Sequence, residues 1–249
     1  MKAQPVLQLR QLSKSFGGLT AVSEVTLEVL PGDRAAVIGP NGAGKTTLFN
    51  LITGVLPASD GRILLFGQDV TGWPSHRRTA LGMARTFQIT SLFPKLSVLD
   101  NVLLAIGGLR RTKFVMWRTL SSYAELQEKA QRLLEAAGYW ERRHVEVRNL
   151  SHGEQRQIEI VLGLASEPKI LLLDEPCAGL SSGESREMAA FLKRLDPALA
   201  ILLIEHDMDV VFDVVERISV LHFGAVVETG TAETIRASPR VQEIYLGTG

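Results

Sequence analysis

Apolar and polar residues alternate along the start of the chain, in "VLQLRQL" from Val6 and "VTLEVL" from Val25. A period of two puts the apolar side chains on one face, so both stretches are expected to be half-buried, antiparallel strands. Pro31-Gly32-Asp33 then reads as a turn. The pattern changes at Ala35–Ile38, a short run with no polar residue, and similar runs recur at Ile170–Leu173 and Ala200–Ile204. Runs of this kind predict strands buried on both faces, as in a parallel sheet. Helical spacing follows them. Lys45–Thr53 ends at Gly54, and Glu184–Leu195 places Met188, Phe191, Leu192 and Leu195 on one face. Strand, helix and strand in this order imply an α/β core with right-handed crossovers.

Residues 91–150 differ in character. Ser97–Asp100 reads as a helix start, and Tyr123–Ala137 as a polar-faced helix stopped by Gly138. Glu125 and Lys129, like Glu128 and Arg132, are spaced for ion pairs on its exposed side. No strong strand pattern interrupts this region, so we expect a mostly helical subdomain inserted in the α/β core. At its end, "LSHGEQRQIEI" places Ser151 three residues before Glu154, the spacing of a capping box at a helix start. Ser181 and Glu184 repeat that spacing.

Composition narrows the class. The 249 residues are 45% hydrophobic, enough for one large domain or two small ones. Lys+Arg and Asp+Glu are both 27, and this balance argues against a nucleic-acid coat. Cys177 stands alone, so no intrachain disulfide can form, which fits a reducing compartment; it reads as a small buried residue. The first residues hold no apolar signal-peptide core, so no secretory signal is expected. No apolar run approaches the roughly 18 residues that span a bilayer. If the protein serves a membrane, another chain is expected to supply the span.

The chemistry enters at Gly39-Pro40-Asn41-Gly42-Ala43-Gly44-Lys45-Thr46. It matches G-x-x-x-x-G-K-[ST], with an apolar strand before it and a helix after it. Glycines let the backbone wrap a phosphate chain with its N–H groups inward, and the helix adds its positive N-terminal end. Lys45 would reach the β- and γ-phosphates, the Thr46 hydroxyl would bind Mg²⁺, and Thr47 is a further phosphate contact. Such a site needs another metal ligand and a group to handle water. "KILLLDEP" offers Asp174 for the metal and Glu175 to orient or deprotonate the attacking water, both at the end of a buried strand. "ILLIEHD" places His206 at a third strand end, where it could donate to a γ-phosphate.

Taken together, these pieces resemble the nucleotide-binding subunit of an ABC transporter. The phosphate loop is "GPNGAGKT", "LSHGE" (Leu150, Ser151, His152, Gly153, Glu154) is similar to the family's LSGGQ signature, and Gln88 in "ARTFQ" sits where the family has its Q-loop glutamine. The resemblance implies a P-loop, RecA-like ATPase core with an N-terminal antiparallel β subdomain and an inserted α-helical signature subdomain. The expected bounds are 1–90 and 156–230 for the core, 91–155 for the helical part and 231–249 for a helical tail. It implies ATP and Mg²⁺ as cofactors, with Thr46, Gln88 and Asp174 near the metal and Glu175, His206 and Gln88 as catalytic residues. Phe16 is where the family stacks an aromatic on adenine. Two subunits pair head to tail in the family, so Ser151 and the Gly153 amide would meet a γ-phosphate held by the partner. His152 and Glu154 depart from the family pattern, and we expect His152 to point away from the nucleotide and Glu154 to turn into its own helix. "AGLS", Ala178–Ser181, lacks the acid of the usual S-A-L-D, which leaves its coupling role open.

Finer details resemble the branch that takes up branched-chain amino acids: "SFGGLTAV", "LFPKLSVLDNVLLA", "DEPCAGL", "LLIEHDM" and "ETGTAETIRASPRVQEIYLG". That implies a second ATPase subunit (identical or different), two transmembrane permease subunits, a periplasmic solute-binding protein, and a place on the cytoplasmic face of the bacterial inner membrane. Residues 89–105 would line the groove that receives a permease helix, with Leu92 and Phe93 as contacts. Residues 108–122, "GLRRTKFVMWRTLSS", read as a solvated loop with buried Phe114 or Trp117, or as a segment near headgroups. Systems for urea, aromatic acids or lipopolysaccharide export use related ATPases and stay open, as does import against export. A soluble repair or translation ATPase is disfavoured: the stretch between Gln88 and Ser151 is too short for coiled coils, and there is one cassette. No N-K-x-D motif supports a GTPase, and a small-molecule kinase would lack the signature.

Overall fold

The computed structural model describes residues 4–86, 92–108 and 124–246. It divides into two compact units: residues 1–85, 169–175 and 197–249 in the first, 86–168 and 176–196 in the second.

The first unit holds two sheets. Strands β1 (Leu7–Phe16) and β2 (Leu19–Val29) pair antiparallel, as their alternation predicts, and β4 (Asp60–Leu65) and β5 (Gln68–Asp69) complete the order β2-β1-β4-β5. The larger sheet has the order β10-β9-β3-β8-β7-β6, built from β3 (Arg34–Ile38), β6 (Met83–Arg85), β7 (Ile170–Asp174), β8 (Ala200–Ile204), β9 (Arg217–His222) and β10 (Ala225–Gly230). Every neighbouring pair in it is parallel except β9 with β10. Strands β7 and β8 are buried along their whole length, which is why they carry no polar alternation.

Helix α1 (Lys45–Ile52) follows β3, and its Leu48, Phe49, Leu51 and Ile52 join one apolar core with residues of both sheets. Its last carbonyls have no partner within the helix. Arg78, from the short helix α2 (Ser75–Ala80), supplies one. The side chain is 1% exposed and donates to the carbonyls of Leu51 and Ile52 at 2.7 Å each, Trp73 at 2.9 Å and Thr71 at 3.0 Å. Burial pulls its pKa down to about 10, so it stays charged at neutral pH and complements the negative helix end.

The second unit is helical: α3 (Val98–Gly108), α4 (Ala124–Ala137), α5 (His152–Leu164) and α6 (Ser182–Arg194). The Met188, Phe191 and Leu192 stripe of α6 is buried, and α6 packs on α4 and α5. Both the body of α5 and α6 therefore fall in the helical unit, where the spacing of motifs predicts the α/β core. Lys129 pairs with Glu167 at 2.8 Å, while Glu128 and Arg132 stand 4.0 Å apart on the exposed side. Helices α7 (Met208–Val214), α8 (Ala232–Ala237) and α9 (Pro239–Leu246) belong to the first unit.

Candidate functional site

Strand β3 lies between β8 and β9, and β8 lies beside β7, all parallel. The loops leaving the carboxyl ends of β3, β7 and β8 therefore open on one edge of the sheet, the usual ligand position in such folds. The loop after β3 carries Gly39–Gly44. At Gly44 φ is +101°, and an added Cβ would run into the Ala21 carbonyl. Only glycine fits there, and it delivers the chain into α1 with its first N–H groups facing outward.

Lys45 is buried. Its Nζ donates to the Gly39 carbonyl at 2.6 Å and the Pro40 carbonyl at 3.0 Å, so the ammonium is folded back over its own loop. Burial lowers its pKa, and the Glu175 and Asp174 carboxylates oppose that shift. A recess of ≈ 320 Å³ runs from Asn41 through Thr47 and includes Leu19, Thr20, Ala21, Glu175, Phe223 and Gly224. It thus brings together the loop, the lysine, Thr46, Thr47 and the candidate base.

Glu175 holds φ +49°, a disfavoured conformation for a side-chain-bearing residue, fixed by its N–H donating to the Ile204 carbonyl at 2.9 Å. Asp174, one residue back, is buried. Arg85 donates to its Oδ2 at 2.6 Å, and Arg85 also donates to Asn50 Oδ1 at 2.7 Å. Asp174 Oδ1 is buried with no partner among the described residues. A buried carboxylate oxygen left without a donor suits a cation close by.

Other expected residues fall less neatly. Gln88 lies outside the described residues, as do residues 109–123 with Phe114 and Trp117. His206 follows β8, and its Nδ1 stands 3.5 Å from buried Glu205. It is not in the lining of the recess, nor is Phe16. Phe16 is 46% exposed with the Lys14 ammonium 5.0 Å from its ring centroid.

In the helical unit, Ser151 caps α5 and closes the predicted box. Its Oγ accepts from the Glu154 N–H at 3.2 Å, and Glu154 Oε2 accepts from the Ser151 N–H at 2.9 Å. Glu154 is turned into its own helix as expected and also meets Arg142. Leu150 is buried and His152 exposed. Ser181 and Glu184 form a second box at the start of α6.

The Gly153 amide is differently engaged from the expectation. It donates to Glu184 Oε1 at 3.0 Å, so one carboxylate serves the N-termini of both α5 and α6. A Cβ at position 153 would meet Glu184 Cβ and Cγ at 3.1 Å, so the glycine permits the approach. These donors hold the Glu184 pKa down at about 2.

Sequence reasoning missed Arg85, the reach of Glu184 to Gly153, and Leu19 and Phe223 in the recess. Capping-box spacing pointed to the first turn of α6, but not to its second acceptor.

A glycine loop, a buried lysine and an acid pair lie together at parallel strand ends, an arrangement that suits a polyphosphate. Residues 22–178 match the ABC transporter family. The chain is 39% identical to the high-affinity branched-chain amino acid transport ATP-binding protein LivG of Escherichia coli K12, covering 98% of this chain and 99% of that one. It is 37% identical to BraF of Pseudomonas aeruginosa, of the same description, with the same coverage. Among solved structures, an ATP-binding cassette of an ABC transporter in its ADP conformation superposes with TM-score 0.85 at 29% identity, over 98% of this chain and 99% of that one. A nucleotide-free cassette gives 0.83 at 30% identity, over 97% and 98%. The chain belongs to the ABC transporter family, as one of its ATP-binding, ATP-hydrolysing members.

Proposed function

We propose that this chain powers a bacterial importer of branched-chain amino acids, or of a related small solute, through separate membrane subunits. The observation that carries the catalytic part is the recess in which Lys45, Thr46 and Glu175 meet, with Asp174 behind it. Lys45 exchanges the carbonyls of Gly39 and Pro40 for phosphate oxygens. Glu175, held at a strained φ, accepts the proton of the attacking water or orients it. The Thr46 hydroxyl and Asp174, with its unpartnered Oδ1, fit a Mg²⁺ ion, with Gln88 as a further candidate. Bound there, Mg²⁺ neutralises phosphate charge. His206 is kept as a candidate donor to the γ-phosphate and Phe16 as a candidate adenine contact.

The solute assignment rests on likeness to LivG and BraF, whose names carry it. No described helix is long and apolar enough to cross a membrane. By the same likeness, the chain is proposed to sit as a peripheral subunit on the cytoplasmic face of the bacterial inner membrane. The permease contact is proposed at Leu92 and Phe93. Buried Asn101 accepts from the Phe93 N–H at 2.8 Å and donates to its carbonyl at 3.1 Å, which pins the backbone and leaves the ring 56% exposed. A second ATPase subunit, identical or different, is proposed to bring Ser151 and Gly153 onto the bound γ-phosphate. A periplasmic binding protein selects the solute, and no nucleic acid is involved.

The test is sedimentation of Glu175→Gln with Mg-ATP, with and without Ser151→Arg. The expected result is ATP-dependent association that Ser151→Arg abolishes. Association indifferent to Ser151→Arg would sink the trans clamp. A species that stays monomeric with ATP, yet associates once the neighbouring ATPase of the same system is added, would assign an obligatory heterodimer.

A further inference from the structure

Phe223 is the least expected residue in the recess. It occupies the two-residue turn between β9 and β10 with Gly224, and φ is positive at both (+46° and +80°). That is the type I′ arrangement, which favours Asn-Gly or Asp-Gly, and a large aromatic is sterically disfavoured at its first position. The ring is also 81% exposed. A second Phe-Gly turn in the same chain provides the contrast. Phe66, with φ +51° before Gly67, packs its ring on the apolar core, and Lys169 Nζ lies 5.3 Å from its centroid. Burial explains the aromatic at Phe66. At Phe223 it explains nothing, since the ring is bare to solvent beside its neighbour His222, centroids 4.2 Å apart.

The turn is fastened to the phosphate loop. The Gly224 N–H donates to the Ala43 carbonyl at 2.9 Å, and its carbonyl accepts from the Ser23 N–H at 2.8 Å. A Cβ on Gly224 would meet the Ala21 carbonyl at 2.8 Å, so backbone lies on backbone here. Phe223 is therefore held at a fixed position relative to Lys45, on the wall of the same recess, with Leu19 (69% exposed) as the other bare apolar side chain there. An exposed aromatic in a disfavoured conformation, tied to a polyphosphate cradle, calls for a flat apolar ligand group beside the phosphates.

We propose that Phe223, with Leu19, forms an apolar contact for the base of the bound nucleotide and so contributes to nucleotide affinity and base preference. The inference rests on reading the loop as a nucleotide site. Stacking on an aromatic face tolerates any base but gains with ring area, so a purine is favoured over a pyrimidine.

The experiment is calorimetric titration of wild type, Phe223→Asn and Phe223→Trp with ADP and with inorganic pyrophosphate, each with Mg²⁺, alongside thermal melts. Asn suits the turn, so Phe223→Asn should melt no lower than wild type. It should bind ADP about tenfold more weakly, bind pyrophosphate unchanged, and narrow the preference for ADP over CDP. Phe223→Trp should restore ADP binding. Unchanged ADP affinity in Phe223→Asn, or a parallel loss for ADP and pyrophosphate, would overturn the base contact; the second would mean that Phe223 only shapes the loop. Wild type that binds neither ligand would instead overturn the nucleotide reading of the recess, and the proposal with it.

Discussion

Lys45 and Glu175 sit in one recess but answer to different measurements. Lys45 is a buried ammonium with two carbonyl acceptors of its own loop. Lys45→Ala removes the cation that would face the phosphates, so nucleotide binding itself should fall, by tenfold or more for a charge-assisted contact. Equal ADP affinity in that variant would count against the assigned role. Glu175→Gln keeps shape and loses the proposed base. It should bind ATP normally while turnover drops by about 10²–10⁴, read by phosphate release at saturating ATP. Glu184 adds a pH dependence of known sign. Its folded pKa of about 2 lies below the ordinary 4.5, so it stabilises the α5–α6 joint fully above pH 4.5 and loses that contribution as pH falls toward 2. Hydrogen exchange at the first turns of α5 and α6 should therefore accelerate between pH 4.5 and 2 more in wild type than in Glu184→Ala, after correction for intrinsic rates.

Among elements, α1 depends on a residue far from it in sequence. Arg78 donates to four carbonyls at and near its end, those of Leu51, Ile52, Thr71 and Trp73, and the Leu51 carbonyl also accepts from the Gly54 N–H. Arg78→Met keeps much of the volume but leaves these acceptors buried, so it should cost about 3–5 kcal/mol of unfolding free energy in denaturant titration. Arg78→Lys should recover only part, since an ammonium cannot fork to as many carbonyls. A loss below about 1 kcal/mol would show that the helix end finds other partners. The strands β3, β7 and β8 were legible because strands buried on both faces carry uninterrupted apolar runs. Strand β9 was not: "VVFDVVERISVL" passes from α7 into β9 without a glycine or proline to mark the change. Helix α6 was legible as a helix, but its unit was not, because an apolar stripe does not name what it packs against.

For the whole molecule, the coupling reading has its own prediction. Phe93→Ala should lower solute uptake in reconstituted vesicles by a larger factor than it lowers basal ATP hydrolysis. Equal losses would mean that the residue serves the ATPase and not the permease contact. The candidate site was legible as motifs on separate strand ends, because phosphate chemistry leaves a strict local spacing. What spacing could not carry were meetings across long sequence distance. Arg85 with Asp174, Phe223 with the loop, and Glu184 with Gly153 become neighbours only once the sheets and helices are assembled.

The last of these meetings has a consequence for how a phosphate would be received. If a phosphate oxygen takes the Gly153 N–H, Glu184 gives up one of the donors that depress its pKa, but it keeps the Ser181 amide and hydroxyl. Even returned to its ordinary 4.5, the carboxylate remains ionised at neutral pH. One anion would replace another at the helix end without any proton entering or leaving Glu184. The handover would be silent in proton bookkeeping: Glu184→Gln should leave unchanged the number of protons exchanged on nucleotide-driven association, measured calorimetrically in buffers of different ionisation enthalpy.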